Sequence, residues 1–204
     1  DFFHEPVDAG QWRWREVGIE LLLPQPRLAA PVQRANAAPA IAALRALPRV
    51  PPDEAFAAGV AAATLPGRLQ RFEHTGNEFV VDVGHNPQAA RALSGWLAQS
   101  PASGAVHAVY AALGDKDAAG VVDALAGPVA HWHLAGLEEA GPRGGAVEAL
   151  QQRLDGTAAA RGQLHATVAQ ALEAVRAQAK PGDRVLVFGS FHTAAAALEW
   201  LARD

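Results

Sequence analysis

The sequence predicts an α/β protein whose larger part is a doubly wound, mostly parallel sheet. Two observations lead there. From Leu65 onward, short and nearly all-apolar runs alternate with stretches whose apolar residues recur at helical spacing. Such runs suit strands buried on both faces, and their alternation with helices marks a parallel sheet covered on two sides. The second observation is the junction Asp82-Val83-Gly84-His85-Asn86-Pro87, where the apolar run Phe79-Val80-Val81 gives way to a helical pattern within six residues. A strand, a tight turn and a helix start meet there, as they do in a Rossmann-like fold with right-handed crossovers.

Residues 1 to about 64 have a different texture. Trp12-Arg13-Trp14-Arg15 alternates as a half-exposed strand does, and Ile19 to Leu23 is a second apolar run closed by Pro24 and Pro26. Val32 to Leu47 reads as a helix with Ile41, Leu44 and Leu47 along one side. Pro48, Pro51 and Pro52 break it, and Asp53 opens an alanine-rich helix. This stretch holds too few elements to close a sheet of its own. Beyond it, strands are predicted over Glu78–Val83, Ala105–Leu113, Val129–Leu134, a weak Ala158–Leu164, and Arg184–Phe188. Helices are predicted over Pro87–Gln99, Asp117–Leu125, Ala146–Leu154, Thr167–Ala179 and Thr193–Arg203.

Composition narrows the function. Half of the 204 residues are apolar and 19% are charged, so a substantial core is expected and disorder is not. The formal charge of −4 disfavours a non-specific nucleic-acid binder, which carries a basic excess. With no cysteine, disulfides, cysteine–zinc sites and thiol catalysis are excluded within these residues. No apolar run reaches the length of a membrane span; Ala55 to Leu65 comes nearest. The chain contains no methionine, even at position 1, and reads as cut from a longer polypeptide.

Ligands of a parallel sheet bind outside the carboxyl ends of its strands, so the loops there carry the candidates. Asn86 is placed to cap a helix and Pro87 suits its first turn, which leaves Asp82 and His85 in need of another reason. An acid at such a strand end commonly bonds a ribose hydroxyl, and a histidine at a helix start can contact phosphate. Arg68 is presented by the Pro66-Gly67 turn, and its planar fork suits phosphate oxygens. Asp115 and Lys116 follow the second strand, beside Asp117, which is placed to cap the next helix. Gly189 and Ser190 follow the last strand, where capping by Ser190 or Thr193 competes with ligand contact. His131 and His133 share one strand face, but two histidines without a third ligand rarely hold a metal. His4, His74, His107 and His165 read as surface or packing residues. Neither a G-x-x-x-x-G-K-[ST] loop nor a G-x-G-x-x-G fingerprint is present, so any phosphate cradle must come from elsewhere.

Taken in order, five segments resemble one family: Gln33-Arg34-Ala35-Asn36-Ala37-Ala38, Leu65-Pro66-Gly67-Arg68, Asp82 to Pro87, Gly114-Asp115-Lys116-Asp117 and Gly189-Ser190. They look like the C-terminal half of the folylpolyglutamate synthase/dihydrofolate synthase family, a branch of the Mur-ligase-like ATP-dependent amide ligases. The resemblance implies that residues 1–64 end a central ATPase domain and residues 65–204 form the C-terminal Rossmann-like domain. It implies ATP and Mg2+ as cofactors, with the phosphate loop and metal ligands upstream of Asp1, no metal ligand here, and no activity for this piece alone. Asn36 would touch adenine; Arg68 would reach the terminal phosphates across a domain cleft; Asp82 would hold the ribose, with His85 near nucleotide or phosphate. Arg68 and His85 would be the catalytic residues. Asp115, Lys116 and Ser190 would lie near the incoming L-glutamate. Gly84 departs from the family, where alanine is common. The implied enzyme is a cytoplasmic monomer acting on dihydropteroate or folate, with no nucleic-acid or membrane partner. Two other readings stay open: a muramyl or cyanophycin-type ligase, and a Rossmann-like binding module without catalysis.

Overall fold

The computed structural model describes residues 1–27 and 32–203. The chain divides into two compact units, Asp1–Pro66 and Gly67–Asp204.

The first unit has a three-stranded antiparallel sheet ordered β1 (Phe2–Pro6), β2 (Gln11–Glu16) and β3 (Ile19–Pro24). The sequence reading expected too few elements for a sheet here, and it missed β1, an edge strand whose apolar residues are confined to Phe2-Phe3 and the closing Pro6. The alternation along β2 is real. Trp12 and Trp14 are completely buried and lie among Leu21, Leu23, Ala38, Ile41, Phe56 and Val60. Each indole also finds an acceptor, Trp12 at the Pro24 carbonyl (2.8 Å) and Trp14 at the Ala38 carbonyl (3.0 Å), as buried tryptophans require. Helices α1 (Gln33–Arg45) and α2 (Asp53–Ala62) complete the unit. Ile41 is buried, but Leu44 and Leu47 stand 43% and 49% exposed, so the apolar side predicted for α1 is narrower than its sequence suggests.

The second unit is built on a six-stranded sheet. Its strands are β4 (Gln70–His74), β5 (Asn77–Val81), β6 (Val106–Tyr110), β7 (His131–Ala135), β8 (Gln163–His165) and β9 (Arg184–Phe188). Their spatial order is β4-β5-β9-β6-β7-β8. All neighbours pair in parallel except β4, which runs antiparallel to β5 at the edge. The mostly parallel α/β sheet is therefore as predicted. Strand β4 was not foreseen, because Gln70-Arg71-Phe72-Glu73-His74 is polar; its hairpin is set by Thr75 and Gly76, both at positive φ. The predicted Ala158–Leu164 strand shrinks to β8, since residues 158–161 form turns.

Helices α3 (Pro87–Gln99), α4 (Ala118–Leu125), α5 (Val147–Arg153), α6 (Val168–Gln178) and α7 (Phe191–Leu201) link the strands. Sheet side chains alternate between faces. Phe79, Val81, Val109, Ala135, Val185 and Val187 pack with Val168, Leu172, Ala194 and Ala197 of α6 and α7. On the opposite face Arg184 lies over the Trp96 ring of α3, at 4.8 Å. Four helices begin on a side-chain cap. Asn86, Asp117, Thr167 and Ser190 accept from the amides of Ala89, Gly120, Gln170 and Thr193 respectively. The Ser190 cap starts α7 at Phe191, two residues before the predicted Thr193.

Candidate functional site

Strand β9 lies between β5 and β6, and α7 leaves it toward one face while α3 leaves β5 toward the other. The loops therefore part at the carboxyl ends of these three strands, which is where an open α/β sheet forms its binding crevice. The segments 82–87, 113–117 and 189–193 all arise at that edge.

Arg68 reaches the edge through a strained turn. Gly67 and Leu69, on either side of it, both have positive φ, 66° and 45°. Leucine adopts this conformation only where its surroundings compel it. The compulsion is visible. Leu69 is 3% exposed, its amide donates to Asp82 Oδ2 (2.9 Å), and the Gly67 carbonyl accepts from the Val83 amide (2.9 Å). A Cβ on Gly67 would come within 2.9 Å of Val83 Cγ1, so no larger residue fits. The guanidinium itself is only partly covered. Its nearest partners are the Gly67 carbonyl at 3.5 Å and the Phe191 ring, 5.5 Å from Cζ. Strain thus holds a cation whose hydrogen-bonding capacity is mostly unspent.

Asp82 is the anchor of this turn. Besides Leu69 it accepts from the Gly84 amide at Oδ1 (2.7 Å), and it is 8% exposed. Burial raises its pKa above the usual carboxylate range, opposed by those two amides and by the Arg68 charge. His85 follows, half-buried, with Nδ1 3.2 Å from the Val83 carbonyl. A proton on Nδ1 donates there and leaves Nε2 as the ring's acceptor.

The other candidates divide. Asp115 is exposed, and Lys116, 2.9 Å from it, holds its carboxyl below the usual range. Ser190 is 3% exposed and its hydroxyl is engaged with both the amide and the hydroxyl of Thr193 (3.0 and 2.7 Å). Its observed contacts are those of a helix cap. Asn36 belongs to the first unit. It bonds Gln33 (3.1 Å) at the rim of a cavity of about 440 Å³ whose wall includes Ile41, Phe56 and Val60. The sequence reading missed Phe191, which stands 62% exposed against Arg68; an aromatic residue directly after Gly189-Ser190 was the available signal.

Among the described residues no group of three His, Cys, Asp or Glu side chains could hold a metal ion. Asp82 and Asp117 accept from backbone amides, and Asp115 pairs with Lys116. No helix among the described residues is long and apolar enough to cross a membrane.

Residues 67–191 match the description "Mur ligase, glutamate ligase domain". The chain belongs to the Mur ligase family. Over 178 residues it is 42% identical to the dihydrofolate synthase/folylpolyglutamate synthase of Escherichia coli, covering 87% of this chain and 38% of that protein. It is also similar to the structure "E.coli FolC in complex with DHPP and ADP", with a TM-score of 0.83 and 38% identity over 99% of this chain and 46% of that one. A bifunctional folylpolyglutamate synthase/dihydrofolate synthase with Mn, AMPPNP and L-glutamate bound superposes with a TM-score of 0.80 and 35% identity, over 98% of this chain and 46% of that one. The Mur ligase chain thus spans less than half the length of these relatives. The mostly parallel α/β sheet is that of the family, as the sequence reading expected.

Proposed function

We propose that this chain is part of an ATP-dependent ligase that joins L-glutamate to dihydropteroate or folate. A carboxylate acylates poorly. Phosphorylation by ATP makes it an acyl phosphate, the amine of glutamate attacks the carbonyl carbon, the C–O bond to phosphate breaks, and phosphate leaves. In this reading residues 1–64 end a central ATPase domain and residues 65–204 are the glutamate ligase domain. Asn36 contacts the adenine; it lines the first-unit cavity together with Ile41, Phe56 and Val60. Asp82 and His85 border the nucleotide, and Asp115, Lys116 and Ser190 border the glutamate. Of these, Lys116 has the charge to meet a glutamate carboxylate. ATP and folate-type substrates fit a cytoplasmic enzyme, here taken as a monomer. Magnesium, when bound, neutralises phosphoryl charge; its ligands are assigned outside the described residues.

The observation that carries this reading is the strained turn that presents Arg68. Conformational energy is held at Leu69, beside the glycine that the turn requires, and the turn presents a guanidinium with few partners at the carboxyl edge. Phosphoryl transfer depends on such positioned charge. In the full-length enzyme Arg68→Ala is expected to reduce turnover by the equivalent of roughly 2.7–4 kcal/mol, by analogy with loss of one oxyanion donor. Folding should change little, because among the described residues the side chain makes a long bond to Gly67, one ring contact and a charge interaction with Asp82. Near-normal turnover would remove Arg68 from the site.

A further inference from the structure

The turn that carries Lys116 is braced from a distance. Within it the Lys116 amide donates to the Leu113 carbonyl (3.2 Å) and the Ala118 amide to the Lys116 carbonyl (3.0 Å). Those bonds shape the turn but leave it tethered only to its own neighbours in sequence. One outside tether is the Gly114 amide, which donates to the Arg143 carbonyl (2.9 Å). The other is a side chain. Arg153, the last residue of α5, sends one guanidinium nitrogen to the Leu113 carbonyl (3.3 Å) and another to the Lys116 carbonyl. A single planar fork thus ties both ends of the turn to the helix. The interaction joins residues 40 and 37 positions apart.

We propose that Arg153 is a positioning residue for the glutamate acceptor: by gripping the Leu113 and Lys116 carbonyls it fixes the backbone from which Lys116 projects its ammonium. This rests on the reading of Lys116 as a contact for the glutamate carboxylate. Arg153 itself touches only main-chain carbonyls among its described hydrogen bonds, so it acts through Lys116. The geometry demands arginine. Two carbonyls at separate points need two donors held apart in one plane, whereas a lysine ammonium is a point donor. Loss of an arginine retained only for folding would lower stability and leave substrate discrimination alone. A positioning arginine changes the apparent affinity for one substrate.

The test is steady-state kinetics on the full-length enzyme with four variants: Lys116→Ala, Arg153→Met, Arg153→Lys and the double variant Lys116→Ala with Arg153→Met. Arg153→Met is expected to raise the glutamate KM about tenfold, a change in binding rather than in chemistry, while the KM for ATP stays within about twofold. Arg153→Lys should fall between parent and Arg153→Met, and it keeps the test alive should the methionine variant fold poorly. Because Arg153 works through Lys116, the double variant should be no worse than Lys116→Ala alone. Additive losses in the double variant would overturn the proposal, as would equal rises in both KM values or a loss confined to stability. If Lys116→Ala leaves the glutamate KM at its parent value, the reading of Lys116 as the acceptor contact fails, and this assignment of Arg153 falls with it. If only Lys116→Ala raises it, the acceptor reading stands and the positioning role is refuted.

Discussion

Gly189→Ala tests the architecture of the carboxyl edge most directly. Gly189 joins β9 to the Ser190 cap of α7 at φ 120°, a conformation that side-chain-bearing residues rarely adopt. A Cβ there would lie 2.4 Å from the Ala111 carbonyl oxygen and 2.8 and 2.9 Å from two carbons of the Tyr110 ring. Neither neighbour has room to yield. Ala111 is backbone of a completely buried residue, and Tyr110 is itself completely buried beside Phe188 and Trp132. Backbone strain of this kind costs about 1–3 kcal/mol. Forcing atoms into a packed interior costs about 1–3 kcal/mol more. The sum, roughly 2–6 kcal/mol, is a large part of the ~5–15 kcal/mol that keeps a domain folded. With a urea dependence of about 2 kcal/mol per molar, the midpoint should fall by at least about 1 M. The assay is urea unfolding followed by amide hydrogen exchange along β9, which reports on the second unit alone. Gly95→Ala is the control: it lies inside α3 with nothing within 4 Å of the added carbon. It should gain about 0.5–1 kcal/mol through the helix preference of alanine over glycine. An unchanged midpoint for Gly189→Ala would refute the close-approach argument.

Two further outcomes follow from buried titratable groups. His107, His133 and His165 line the α6-facing side of the sheet. His107 Nδ1 lies 3.5 Å from His133, His133 Nδ1 lies 3.3 Å from His165, and His107 Nε2 lies 3.3 Å from Asp183. The His131 ring lies tilted against that of His107, their centroids 4.6 Å apart. The α6 residues buried against this face, Val168, Ala171, Leu172 and Val175, are all uncharged. Burial, then the charges of His165, His107 and His131, push His133 down to about 4 from 6.5; burial also lowers His107, against the pull of Asp183, and His165. The folded state holds His133 neutral while the unfolded chain takes up a proton there below 6.5. The His133 contribution is therefore complete above that pH and is lost as pH falls toward 4. Urea midpoints measured across this range should decline, and His133→Asn should flatten the decline; an unaltered slope would exclude His133 as its source. Asp82→Asn leaves one of the Leu69 and Gly84 amides facing an NH2 group instead of an oxygen. It should cost about 1–3 kcal/mol, the penalty for a buried unpaired donor. Parent-like stability on calorimetry would show that the carboxylate does not clamp the turn.

Much of the helical framework could be read from residue chemistry alone. Asn86-Pro87, Asp117 and Thr167 mark helix starts because capping is a local bond between a side chain and an amide three residues on. Strand β9 was legible to the residue because Arg184-Val185-Leu186-Val187-Phe188 is buried along its whole length. Strand β4 was not, since an edge strand with polar residues owes its structure to its partner β5. Arg68 and Asp82 were singled out by motif, but not the bond through which Asp82 holds the Arg68 turn, because the two segments meet only when β5 is in place. Ser190 was legible as either cap or ligand contact, and in the structure its hydroxyl caps α7. The first unit's sheet is hard to see in the sequence because Phe2–Pro6 offers no continuous apolar face.

What the amino-acid order determined by itself is what short-range forces govern: caps, turns, the period of apolar residues and, through them, an α/β chain with Mur-ligase edge motifs. What tertiary structure alone decided is every relation between residues far apart in the chain. The histidine row depends on the register of β6, β7 and β8, and the Arg153 brace on α5 returning beside the 113–117 turn. Register and helix packing are collective results of burying the whole core, so no window of neighbouring residues contains them.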